Sequence, residues 1–104
     1  MVTHNEIRLS VRTKDYAALR AMHGRATAEG IEGCDTPEKL TTVNLCVLEV
    51  SMFKGTSPGH ERQLEAMLQA IERGRHPYDD AEANAVFEAD GAIAAAQLKA
   101  MVGR

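Results

Sequence analysis

Residues 6–13, Glu-Ile-Arg-Leu-Ser-Val-Arg-Thr, set Ile7, Leu9 and Val11 in strict alternation with Arg8, Ser10 and Arg12. A period of two places the apolar trio on one face of a β-strand and the two guanidiniums, with a hydroxyl between them, on the other. A lone strand is not stable in water, so this ribbon requires a second strand from the same chain or from another copy of it. The polar face suits an anionic surface, with ordinary solvent-facing arginines as the plain alternative.

The rest of the chain bounds what can surround such a strand. At 104 residues it forms one domain at most, and with no Trp and only Tyr16, Phe53, Tyr78 and Phe87 as aromatics its core is modest. Chains of this kind often bury their remaining apolar surface by dimerising. The net charge of −3 is unevenly spread: Arg8, Arg12, Lys14, Arg20 and Arg25 against Glu6 and Asp15 make residues 1–25 carry +3, leaving −6 for the remainder. A basic head on an acidic body fits a regulatory protein with two contact surfaces. The first residues lack the basic lead and apolar core of a secretory signal, and no apolar run approaches membrane-spanning length. With Cys34 and Cys46 as reduced thiols, the expectation is a cytoplasmic protein without membrane contact.

Helix signals follow the strand. Lys14 or Asp15 opens a helical stretch with Tyr16, Leu19, Met22 and His23 at helical spacing, which Gly24 ends or weakens. Gly30 and Gly33 punctuate a connector. Asp35 or Thr36 can then cap a helix with Pro37 at its first position and Glu38 in its first turn. The segment this opens reads two ways. Leu40, Val43, Leu45, Cys46, Val47, Leu48, Val50, Met52 and Phe53 surround a helix almost completely, as a helix buried in a dimer core requires. The β-branched Thr41, Thr42, Val43, Val47 and Val50 suit a doubly buried strand over residues 41–53. Ser57 and Pro58 open a further helix striped by Leu64, Met67, Leu68 and Ile71 up to Gly74. After Pro77, Asp79 and Glu82 form a capping box for a last, alanine-rich helix interrupted by Gly91, with Val86, Phe87, Ile93, Leu98 and Met101 as its apolar positions.

An Arg-x-Ser-x-Arg strand, a helix, and a capped, heavily apolar second helix follow the order of the ribbon-helix-helix DNA-binding proteins, which the first half of the chain resembles. The resemblance implies a mostly α fold with one short N-terminal strand (β-α-α-α-α). In that family two strands pair across the twofold axis of a homodimer and enter the major groove of double-stranded DNA. Carried over, Arg8, Ser10 and Arg12 read bases, and the amides near Thr36 and Glu38, with Lys39 alongside, meet phosphate. The family includes plasmid and phage repressors, antitoxins and relaxosome accessory proteins. The connector from Gly24 to Thr36 is longer than the family's turn, and Asp35 and Glu38 place negative charge where phosphate docks. On this reading residues 1–55 are the dimerisation and DNA-binding region, and residues 56–104 are a helical arm, hinged near Gly74–Pro77, for a protein partner or oligomerisation.

Other chemistry is sparse. Cys34 precedes a helix start, but no His or Lys adjoins it and Glu32 and Asp35 flank it, so it reads as a plain loop thiol, and Cys46 reads as core. His60-Glu61 and His76 with Asp79 and Asp80 lack metal-ligand spacing, and His4 and His23 read as surface groups. The glycines do not spell a phosphate loop, and no triad or cofactor motif is present, so the expectation is a protein that is not an enzyme and binds no cofactor or metal. Two functions remain: a dimeric, sequence-specific DNA-binding regulator, or an α+β adaptor or inhibitor that binds another protein, pairs residues 41–53 with residues 6–13, and has no DNA site.

Overall fold

Thr3 and Glu6 decide the first element. The Glu6 carboxylate accepts from the Thr3 amide at 2.8 Å while the Thr3 hydroxyl accepts from the Glu6 amide at 3.2 Å, a complete capping box. A computed structural model describes the backbone of residues 1–102 and the side chains of residues 1–91. In it the box opens α1, His4–Arg12, where a strand was expected. The alternation of residues 7–12 is also compatible with a helix, because Ile7, Ser10 and Val11 lie at i, i+3 and i+4 and share one face. Ile7 and Ser10 are buried there, whereas Leu9 points away and is 50% exposed. Both expected fold classes are thereby corrected. Among the described residues there is no strand: neither the ribbon of a β-α-α-α-α chain nor a strand at 41–53 forms, and the sole β-type pairing is a single parallel bridge between Val2 and Ile31. A homodimer paired strand to strand has nothing to pair.

The remaining helices start largely where their caps place them. In α2, Tyr16–Glu29, Asp15 accepts from the Ala18 amide at 3.1 Å, and the helix continues through Gly24 to end at Gly30. In α3, Pro37–Phe53, Thr36 accepts from the Lys39 amide and Pro37 takes the first turn. Cap and length thus outweigh the β-branched composition of residues 41–50, since Val43, Val47 and Val50 pack on one helical face. α4 spans Pro58–Glu72, and a 3-10 turn, Pro77–Asp79, leads to α5, Ala81–Val102, which passes Gly91 unbroken. Its cap is Asp80, not Asp79. The Asp80 carboxylate accepts from the Ala83 amide at 2.9 Å and takes two hydrogen bonds from the Arg73 guanidinium, at 2.7 and 2.9 Å. None of the described helices is long and apolar enough to cross a membrane.

One core joins the first four helices. Ile7 of α1, Leu19 of α2, Val43 and Val47 of α3 and Leu64 and Leu68 of α4 are all buried in it. That cluster crosses the 55/56 boundary expected between two regions. α5 adds a smaller seam in which Ala83 meets Ala66 and Ala70 of α4, flanked by Val86 and Phe87. Small residues there let the two helices approach closely.

Candidate functional site

The residues named from the sequence do not form one surface. Arg8 turns inward from α1 to α4: its Nε donates to both oxygens of Glu65 at 2.8 and 3.0 Å, and its Nη1 and Nη2 donate to Glu72 at 2.7 and 2.9 Å. Glu72 also lies 2.9 Å from Nδ1 of His4, whose Nε2 is 2.6 Å from the Glu32 carbonyl oxygen. His4, expected at the surface, is only 3% exposed. Ser10 is buried with its hydroxyl toward the Met22 sulfur. Arg12 is exposed at the C-terminal end of α1. Thr36 is a helix cap, and Lys39 donates to Asp35 at 2.9 Å with most of its side chain covered. Because Val2 pairs with Ile31, the start of α1 lies beside the α2–α3 connector, and Arg12 is carried to the far end of α1 from it.

The network around Arg8 latches α1 to α4 and has a pH signature. Arg8 is held more firmly protonated by Glu72 and Glu65, and Glu72, ordinarily near 4.5, is held down to about 2 by the Arg8 guanidinium and the His4 ring. Asp80 is likewise lowered to about 2 by Arg73 and the Ala83 amide. Both carboxyls titrate lower in the folded chain than in the unfolded one. Their stabilisation is therefore complete above about pH 5 and lost as pH falls from 4.5 toward 2. The melting temperature is expected to drop across that window, and Glu72→Gln to be less stable at neutral pH with a shallower acid slope. An acid limb identical in the variant would remove Glu72 from this role.

What the structure does bring together is the outer face of α3. Its inner face supplies the core, whereas Glu38, Thr41, Leu45, Leu48 and Met52 follow one another at intervals of three, four, three and four residues along the outside. Leu45 is 54% and Met52 59% exposed, Phe53 beside them is 42% exposed, and Leu48 is half-buried. At the N-terminal end of this face an open cleft of about 480 Å³ is lined by Pro37, Glu38, Thr41, Thr42, His76 and Tyr78. His76 is fixed there by the Tyr78 amide, which donates to Nδ1 at 3.1 Å, and by Thr42 at 3.4 Å from Nε2. The exposed Tyr78 ring leans edge-on against Phe87.

At the other end, His60 stacks on Phe53 with ring centroids 4.5 Å apart. Its Nε2 lies 2.9 Å from Glu49, and its Nδ1 lies 2.5 Å from the Ser57 hydroxyl. This hydroxyl–imidazole–carboxylate chain ties the last turn of α3 to the first of α4, and neither cleft described here is lined by any of its three members. The second cleft, about 330 Å³, runs between α1 and α4, with Ile7, Val11, Leu64 and Leu68 below and Arg8, Arg12, Glu61 and Glu65 at its rim. Burial pushes the Cys34 thiol up to about 11 and the Cys46 thiol to about 12, so neither is a thiolate at neutral pH. Among the described residues no three His, Cys, Asp or Glu side chains are placed to hold a metal ion.

No family model matches the chain, and neither a curated protein nor a solved structure matches it significantly. The α3 face was readable in the sequence only as an apolar surplus. Its three-four spacing was available there, but which positions the neighbouring helices would cover was not.

Proposed function

We propose that this chain is a small helical protein-binding module of the adaptor or inhibitor kind, and that it engages its partner through the outer face of α3. One observation carries the reading: Leu45 and Met52 stay exposed in line, with Leu48 half-buried between them, on a helix whose opposite face is packed into the core. A helix that is apolar all round implies burial all round, and a contiguous exposed apolar patch is characteristic of a contact site. The chemistry is that of helix recognition, in which an apolar seam with three-four spacing accepts the matching seam of another helix. The test compares immobilised parent protein with the Leu45→Asp/Met52→Asp variant. A specific protein held by the parent and lost by the variant, with helix content unchanged by circular dichroism, supports the reading. The same proteins retained by both would end it.

A further inference from the structure

We propose that Ser57 is an activated nucleophile that accepts an acyl group from small, activated carboxylic esters. His60 is its general base, and Glu49 positions that base. The proposal is independent of the α3 contact face and does not rest on it.

The three side chains form one hydrogen-bonded chain where α3 gives way to α4. The Ser57 hydroxyl is 2.5 Å from His60 Nδ1, and His60 Nε2 is 2.9 Å from Glu49. The placement of protons fixes their roles. An ionised carboxylate only accepts, so Nε2 carries the ring proton and donates it to Glu49, which leaves the Nδ1 lone pair to accept the Ser57 O–H. A neutral imidazole thus satisfies both contacts, and it faces the hydroxyl in the form that can take its proton. A nucleophile within hydrogen-bond reach of a base that a third group orients is the arrangement that activates a serine.

The Ser57 hydroxyl has no competing role. Ser57 is the N-cap of α4, yet its side chain caps no amide of that helix. It is half-buried, and His60 and Glu49 keep 26% and 37% exposure, so a substrate can reach them. Pro58 has no N–H, and the His60 amide donates to the Ser57 carbonyl at 3.1 Å, which leaves the Gly59 amide without an acceptor among the described residues. At the positive end of a 15-residue helix, that N–H suits the negative charge that develops on an attacked carbonyl oxygen. Asp90 also packs against Gly59, but Arg62 holds its carboxylate at 2.7 Å. The Phe53 ring, 42% exposed, stacks on the imidazole and offers an apolar shelf beside the nucleophile. Neither cleft is lined by the chain, which limits the substrate to small esters with a good leaving group.

In the step itself, Ser57 Oγ attacks the ester carbonyl carbon while its proton passes to His60 Nδ1. The bond from that carbon to the leaving oxygen then breaks, and the departing alcohol or phenol takes the proton back from Nδ1. The acyl group remains on Oγ as an ester.

A fluorophosphonate probe, from which an activated Oγ displaces fluoride, and p-nitrophenyl acetate test this on the full chain. One phosphonyl group should appear at Ser57 by peptide mass spectrometry and be absent from Ser57→Ala. His60→Ala should slow both labelling and acetyl transfer at least about tenfold, and added imidazole should restore part of the rate. Glu49→Gln should also slow labelling, and Glu49→Asp, which keeps a carboxylate, should recover part of the loss. Helix content by circular dichroism should be unchanged throughout. A parent that takes up no phosphonyl group overturns the proposal, because a serine that serves only as a structural tie is inert to the probe. Labelling at another residue overturns it too, as does labelling of Ser57 at the same rate in His60→Ala.

Discussion

Replacing Ile7 by Ala should lower folding stability by about 2–5 kcal/mol, while Leu9→Ala changes it by no more than about 0.5 kcal/mol. The two side chains are neighbours on the apolar face of the strand that the sequence suggests, where their losses would be alike. On α1 they part company. Ile7 is fully buried against the core of α2, α3 and α4, and Leu9 is 50% exposed. A domain of this size has roughly 5–15 kcal/mol of stability in all, and each kcal/mol moves the melting point by about 4–8 °C. Ile7→Ala should therefore melt at least about 8 °C below the parent, and urea titration of the two variants side by side decides the matter. Equal losses at the two positions would falsify the helical assignment.

That pair of residues also shows what the sequence could and could not reveal. An alternation six residues long samples fewer than two helical turns, so Ile7 and Val11 satisfy both a period of two and a period of 3.6. The Thr3–Glu6 capping box lies just upstream and separates the two, because a closed box commits the following residues to a helix. Local signals of this type were dependable elsewhere. Asp15, Thr36 with Pro37, and Pro58 mark the starts of α2, α3 and α4 directly in the chain. The cap of α5 shows where such reading stops. Asp79 has the box spacing to Glu82, but Asp80 receives the Arg73 guanidinium and so becomes the buried, capping member.

The functional surface was less legible for the same reason. Arg8 looked like a free cation because the carboxylates that engage it, Glu65 and Glu72, lie 57 and 64 residues away. His4 looked solvent-exposed because its partners Glu32 and Glu72 come from other elements. Conversely, the apolar encirclement of α3 was plain in the sequence, and burial then sorted it. Val43, Val47 and Val50 face the fold, Leu45 and Met52 are left outside, and Leu48 is half-buried between them. Periodicity gives the number of apolar positions; only packing tells which of them remain unfilled.

The second large effect is expected at Gly33, in the connector that sets where α3 begins. Its φ of +77° lies in the left-handed region, and a Cβ added there would stand 2.6 Å from Cγ2 of Ile71. Ile71 is 4% exposed in the core, and the His4 ring carbon Cε1 lies 4.0 Å from the same spot, so the clash has little room to relax. A left-handed Ala is disfavoured by about 1–2 kcal/mol, and overpacking adds about 1–3 kcal/mol, so Gly33→Ala should lose about 2–5 kcal/mol in all. Gly74 is the internal control. Its φ is nearly the same, +78°, but nothing lies within 4 Å of an added Cβ, so Gly74→Ala should lose only the backbone share of about 1–2 kcal/mol. Urea midpoints of the two variants isolate the contact term, and equal losses would show that Ile71 gives way freely. The consequence reaches the outer surface, because Gly33 stands three residues before the Thr36 cap. A connector pushed off Ile71 shifts the first turn of α3, which carries Pro37 and Glu38 of the cleft. Gly33→Ala should therefore weaken association at the α3 face under conditions where the chain is still folded, and Gly74→Ala should leave it intact.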